Sequence, residues 1–172
     1  MRPSTDPILA RFNTADDTAA RAVLREVCAS EEWCGAILAR RPYPDPETLL
    51  GASDAATARL GAEELAAAVA GHSPLGRPAP GDSASAREQR GMADASERVR
   101  AETAELDRAY RRRFGHVFLI CADGLSGEQL RDAVRARIGN TPERENEIVR
   151  AELGRINRVR LTRLVTEGAL RP

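Results

Sequence analysis

Successive helix-forming segments, separated by short breaks, most constrain the fold of this chain. One apolar run, at residues 117–121, has the length of a strand. No second run is available to pair with it, so we expect an extended, buried connection there. The sequence therefore predicts an all-α fold, an irregular multi-helix bundle, in a single domain over residues 1–172.

Capping and breaking residues indicate where the helices begin and end. Asp45-Pro46 is typical of a helix start, and the proline- and glycine-rich residues 73–83 predict a loop. We expect a long helical region from residue 85 to residue 113, broken near Gly91. Ser126 and Gln129 have the spacing of a capping box. The last helix is expected to run from Pro142 to about Glu167.

The composition excludes several kinds of chemistry. All 26 basic residues are arginine, so a lysine Schiff base and a Walker A phosphate loop are both ruled out. The two histidines lie far apart, and the three cysteines form no Cys-x-x-Cys pair. A zinc site therefore has little support, whereas a magnesium site made only of carboxylates stays open. The 26 acidic residues balance the arginines, which gives no reason to expect a nucleic-acid partner.

The expected compartment is the cytoplasm. No stretch approaches the roughly 20 apolar residues of a membrane span, and residues 1–6 lack the apolar region of a signal peptide. An odd number of cysteines fits a reducing environment.

His72 and Glu88 are the candidate acid/base pair, and each has a structural alternative. His72 lies in the loop Gly71-His72-Ser73-Pro74, where an imidazole exchanges protons near neutral pH or caps a helix end. Glu88 follows Ser85 at capping-box spacing, which gives it a purely stabilising role. The same helix start would offer Ser85, Gln89 and unpaired amides to an anionic substrate.

Arg160 interrupts an apolar stripe on the last helix. Val149, Leu153, Ile156 and Leu164 share its face at helical spacing. A charged group on such a face needs a partner. An internal carboxylate, a side chain that reaches solvent, and a bidentate clamp on a substrate carboxylate or ureido group remain open for Arg160.

Short motifs in a fixed order resemble a known family. They are Phe12-Asn13, Trp33, His72, Ser85 with Glu88 and Gln89, Tyr110, Arg113-Phe114-Gly115, Phe118, Cys121-Ala122, Arg137-Ile138-Gly139-Asn140 and Arg160-Leu161. Together they are similar to the OHCU decarboxylases (2-oxo-4-hydroxy-4-carboxy-5-ureidoimidazoline decarboxylases) of urate breakdown.

The resemblance implies an all-helical homodimer that decarboxylates OHCU to (S)-allantoin without a metal or cofactor. It implies that His72 is the catalytic acid/base and that Glu88 is its partner. The substrate-binding residues that it implies are Ser73, Ser85, Gln89, Phe118, Leu119, Ile120, Cys121, Ala122 and Arg160. The expected partner is thus a small-molecule substrate.

Two departures from the family pattern motivate alternatives. Ser73 stands where the family usually has proline, and His116-Val117 stand where it usually has Phe-Pro. A non-catalytic helical interaction module on the same scaffold is one alternative. A lyase that acts on a related ureido or imidazoline acid is the other.

Overall fold

The computed structural model describes residues 6–168, and every regular element among them is helical. The elements are α1 Pro7–Thr14, α2 Asp17–Val27, α3 Glu31–Leu38, α4 Pro46–Arg59, α5 Ala62–Ala70, α6 Ser83–Glu88, α7 Arg90–Ala93, α8 Glu97–Phe114, α9 Gly127–Arg137, α10 Pro142–Arg163 and a π-helical turn, Leu164–Gly168. The predicted all-α class is therefore confirmed. None of these helices combines the length and the apolar character that crossing a bilayer requires.

Two of the predicted caps are present. The carboxylate of Asp45 accepts the amide N–H of Thr48 at 2.7 Å, and Pro46 occupies the first turn of α4. Ser126 and Gln129 form the reciprocal capping box at the start of α9, with bonds of 2.9 and 3.1 Å. Each bond satisfies an N–H that the helix itself leaves unpaired.

The predicted capping box of Ser85 and Glu88 is wrong. Helix α6 begins two residues earlier, at Ser83, and Asp82 is its cap, since the Asp82 carboxylate accepts the Ser85 N–H at 3.0 Å. The expected helical region from 85 to 113 is also three helices. Its last part begins anew because Ser96 caps α8 by accepting the Val99 N–H at 3.2 Å.

The chain divides into two compact units, and the single domain over residues 1–172 stays a prediction. Among the described residues, 6–68 and 154–168 form the first unit, and 69–153 form the second. In the first unit, α3 packs against α2 and α4 and buries Trp33, Cys34 and Ile37. Burial of these apolar side chains is the main source of stability in this unit.

The second unit is built on the packing of α8 against α9. Its core is a cluster of the buried side chains Leu75, Met92, Tyr110, Phe118, Ala122, Leu130 and Val134. The predicted connection at residues 117–121 is neither helix nor strand, and Phe118 and Leu119 within it are buried. The segment at residues 117–121 is therefore packed, through the buried Phe118, against side chains of α8 and α9.

Gly91 marks a close approach of α7 to the chain that leads into α9. A Cβ added at Gly91 would lie 1.9 Å from the main-chain oxygen of Leu125. We expect Gly91→Ala to lower the free energy of unfolding by about 1–3 kcal/mol, because the backbone must shift. Urea denaturation measures this change. Gly139→Ala is the matched control, since a Cβ there has no neighbour within 4 Å; equal losses in both variants would contradict the account.

Candidate active site

The loop that carries His72 follows α5 directly. The His72 N–H donates to the carbonyl of Val69 at 3.0 Å, which fixes the start of the loop on the last turn of the helix. The His72 side chain is half-buried, and so is that of Ser73. An imidazole in this position is partly shielded from water.

Asp82 connects the His72 loop to the start of α6. One carboxylate oxygen accepts the Ser73 hydroxyl at 2.5 Å, and the other accepts the Ser85 N–H at 3.0 Å. The Ser73 oxygen in turn accepts the N–H of Ala79 at 3.0 Å. Ser73, which replaces the proline expected from the family pattern, therefore holds the loop by hydrogen bonds.

Helix α6 presents the other predicted residues next to this loop. Ser85 and Glu88 are buried, with exposed fractions of 3% and 8%. The Gln89 side-chain oxygen accepts the N–H of Gly76 at 2.7 Å, a second bond between α6 and the loop. Gly76 has a φ of +77°, a conformation that favours glycine. The structure thus connects the His72 loop to Ser85 through Asp82 and to Gln89 through Gly76, and Glu88 is buried on the same helix as Ser85.

The segment from Phe118 to Ala122 is held by its main chain. The carbonyl of Leu119 accepts from the guanidinium of Arg137 at 2.7 Å, and the N–H of Cys121 donates to the carboxylate of Glu152 at 2.8 Å. Phe118 and Ala122 are buried at its two ends, while Ile120 and Cys121 are half-buried. Buried main-chain groups need hydrogen-bond partners, and Arg137 and Glu152 supply two of them in this segment.

The pKa of the Cys121 thiol is raised by burial and by nearby carboxylates. Burial is the main cause that raises the pKa of Cys121, and the carboxylates of Glu152 and Glu88 raise it further. Glu88 and Glu152 are both buried, and both carboxylates act on the pKa of the same half-buried thiol.

Arg160 belongs to the first unit. Its guanidinium lies 3.4 Å from the carbonyl of Val27 and 3.5 Å from that of Glu26, at the C-terminal end of α2. These carbonyls complement its charge. Binding of a substrate by Arg160 stays a prediction.

Arg137 and Glu152, which bond the segment at residues 118–122, and Glu145, which bonds Arg137, were not predicted from the sequence. Charged residues make up 30% of the chain, so three more on helices give no distinguishing signal. The only indication was that Arg137 lies in one of the family-like motifs. In residues 6–168, no group of three or more His, Cys, Asp or Glu side chains is arranged to hold a metal ion.

Asp82→Ala is expected to lower the free energy of unfolding by about 1–2 kcal/mol, the usual effect of losing a helix cap. The variant also frees Ser73, so hydrogen exchange of the Ala79 amide should become faster. Asp16→Ala is the matched control, because Asp16 caps α2 through the Ala19 N–H at 2.9 Å. An unchanged Ala79 exchange rate in Asp82→Ala would show that Asp82 does not hold the loop.

Comparison with known proteins gives a consistent set of matches. The sequence profile of the OHCU decarboxylases matches residues 13–162. The "Uric acid degradation bifunctional protein TTL" of Arabidopsis thaliana is 25% identical over 149 residues, which are 83% of this chain and 46% of that protein. The chain therefore spans about half the length of this curated relative.

Two solved structures share the fold. "Crystal structure of OHCU decarboxylase in the presence of (S)-allantoin" superposes with a TM-score of 0.75 at 22% identity, over 88% of this chain and 99% of that one. "Crystal structure of (S)-allantoin synthase" gives a TM-score of 0.68 at 16% identity, over 90% and 52% of the two chains. Because the profile covers most of the sequence, from residue 13 to residue 162, this chain belongs to the OHCU decarboxylase family.

Proposed function

We propose that this chain decarboxylates OHCU to (S)-allantoin without a cofactor. The observation that carries the proposal is that the His72 loop is hydrogen-bonded to the start and the end of α6. Asp82 accepts from both Ser73 and Ser85, and Gln89 accepts from Gly76. Helix α6 also carries the buried Glu88. Membership of the OHCU decarboxylase family supports the substrate class.

The chemistry needs little more than these groups. Loss of CO₂ breaks the bond between the ring carbon and its carboxylate and leaves an electron pair on that carbon. The pair passes into the neighbouring C=N bond of the substrate, so the substrate is its own electron sink. A proton must then be transferred to that carbon. The allantoin is optically active only if the proton is added to one face of the ring.

His72 is the proposed acid/base group, and Glu88 is its proposed partner. A fixed imidazole transfers protons near neutral pH, and a buried carboxylate orients it and stabilises its charged form. Ser73, Ser85 and Gln89 are proposed to bind the substrate, as are Phe118, Leu119, Ile120, Cys121 and Ala122. Arg160 is proposed as a ligand of the substrate carboxylate on the family resemblance alone.

Homodimer formation and a cytoplasmic location belong to the same proposal. The three cysteines, Cys28, Cys34 and Cys121, are free, which fits a reducing compartment. Light scattering of the purified chain measures its oligomeric state, and a monomer at micromolar concentration would remove the dimer from the proposal.

Turnover of freshly generated OHCU tests the proposed function directly. The purified chain, treated with a chelator, should accelerate the reaction, and circular dichroism should show a single enantiomer of allantoin. Spontaneous decay gives a racemic product. A racemic product at the uncatalysed rate would overturn the proposal. If another ureido or imidazoline acid raises the melting temperature more than allantoin does, that acid becomes the proposed substrate.

A further inference from the structure

A buried ion pair lies behind the segment at residues 118–122. The guanidinium of Arg137 donates to one oxygen of Glu145 through Nε at 2.9 Å and through Nη2 at 2.5 Å. Its remaining nitrogen, Nη1, donates to the carbonyl of Leu119 at 2.7 Å. Arg137 and Glu145 have exposed fractions of 8% and 0%. Each of the three nitrogens of this guanidinium thus donates a hydrogen bond, and one of the three bonds is to the segment.

Further contacts fix the orientation of this pair. Glu145 also accepts the hydroxyl of Tyr110 at 2.6 Å and the side-chain amide of Asn140 at 3.0 Å. The guanidinium carbon of Arg137 lies 4.2 Å from the centre of the Phe118 ring, a cation–π distance. A planar group held at this many points defines the position of both Phe118 and Leu119.

Glu152 holds the segment at a second point. Its carboxylate, with an exposed fraction of 9%, accepts the N–H of Cys121 at 2.8 Å. The two anchored main-chain groups, on residues 119 and 121, lie on either side of Ile120. Within residues 6–168, the main-chain N–H and carbonyl of Ile120 bond no other part of the protein. The anchors therefore leave the N–H and the carbonyl of one half-buried residue, Ile120, available to a ligand.

We propose that Arg137 and Glu152 are positioning residues for the reaction: they clamp the main chain of Leu119 and Cys121, and so hold the peptide groups of Ile120 against the substrate. This inference rests on the proposed function. Neither residue touches the reacting atoms; each acts through the segment. A displacement of a binding group by about 1 Å is enough to cost on the order of a hundredfold in rate.

Arg137→Lys tests the first anchor. Lysine retains a charge but loses the planar fork that bonds Glu145 and Leu119 together, so kcat/KM should fall about tenfold to hundredfold. The pH profile should keep its shape, because the acid/base group is unchanged. Arg131→Lys, on the same helix and paired with Glu102 at 3.2 Å, is the matched control and should keep the wild-type value. A folded Arg137→Lys with wild-type kcat/KM, or an equal loss in Arg131→Lys, would overturn the assignment.

Glu152 provides a second test that does not disturb Arg137. Glu152→Ala removes the acceptor of the Cys121 N–H and should lower kcat/KM about tenfold, on the scale of a misplaced binding group. Glu152→Gln keeps an oxygen acceptor and should restore most of the loss. If the Gln variant is as impaired as the Ala variant, the charge of Glu152 matters rather than its hydrogen bond, and the clamp is wrong.

Different results would exclude the proposed function and the positioning role of Arg137 and Glu152. A wild-type chain that does not accelerate OHCU decarboxylation removes the proposed function and this inference with it. A wild-type chain that is active, with Arg137→Lys and Glu152→Ala equally active, removes the inference alone. Faster hydrogen exchange of the Cys121 amide in Glu152→Ala supports the clamp, whereas an unchanged rate contradicts it.

Discussion

His72→Ala is expected to lower kcat for OHCU decarboxylation by about 10²–10⁴-fold, which is the usual contribution of a placed proton-transfer group. The His72 loop is held by main-chain and side-chain groups other than the imidazole, through the Val69 carbonyl, Asp82 and Gln89. The variant should therefore keep its fold. Steady-state kinetics and thermal melting together separate the lost chemistry from any loss of structure.

The second histidine is the matched control for this prediction. The Nδ1 atom of His116 lies 2.9 Å from the carbonyl of Val117, and its ring meets the edge of Tyr110 with centroids 5.6 Å apart. These contacts are structural, so His116→Ala should lower stability and leave the proton-transfer step intact. A folded His72→Ala variant with wild-type kcat would exclude the imidazole as the acid/base group.

Glu145→Gln is expected to give the largest loss of stability, about 3 kcal/mol in the free energy of unfolding. Breaking a buried pair leaves an uncompensated charge, here on Arg137, and costs about 3–5 kcal/mol. The glutamine oxygen retains part of the hydrogen bonding, which favours the lower value. Urea denaturation at neutral pH measures the change.

An exposed ion pair of the same unit is the control. Glu102 accepts from Arg98 at 2.9 Å and lies 3.2 Å from Arg131. The Glu102 side chain is 31% exposed. Glu102→Gln should therefore lower the free energy of unfolding much less than Glu145→Gln does. Similar losses in both variants would show that burial does not set the strength of the Glu145 pair.

The same carboxylate gives the pair a pH dependence with a defined sign. Burial acts to raise the pKa of Glu145, but the hydrogen bonds from Arg137, Tyr110 and Asn140 outweigh it and leave the pKa below its ordinary 4.5. The stabilisation is thus fully present above pH 4.5 and is lost as the pH falls through the lowered, folded-state value. Glu145→Gln should lack this acid-dependent component.

Local signals predicted the helices well where one residue decides a boundary. Asp45-Pro46 and the reciprocal pair Ser126 and Gln129 each specify a helix start by satisfying backbone N–H groups nearby in sequence. At Ser85 the same rule failed because Asp82, three residues earlier, already accepts the Ser85 N–H. Two competing caps within four residues cannot be ranked without knowing which way the loop approaches.

The candidate site was predicted less completely than the fold. Motif resemblance identified His72, Ser85, Glu88 and Gln89, which the structure places on one loop and one adjoining helix. The anchors Arg137 and Glu152 were not assigned, since their function depends on main-chain groups 18 and 31 residues away. Contacts of that separation follow from packing, which periodicity and capping do not encode.

A crystal structure with (S)-allantoin bound tests the central claim most directly. The account predicts that the ligand lies between the His72 imidazole and the Glu88 carboxylate on one side and the peptide groups of Ile120 on the other. His72 should lie within hydrogen-bond distance of the ring. Allantoin bound elsewhere, with His72 and Glu88 facing separate surfaces, would contradict the account and leave only the helical scaffold of the family.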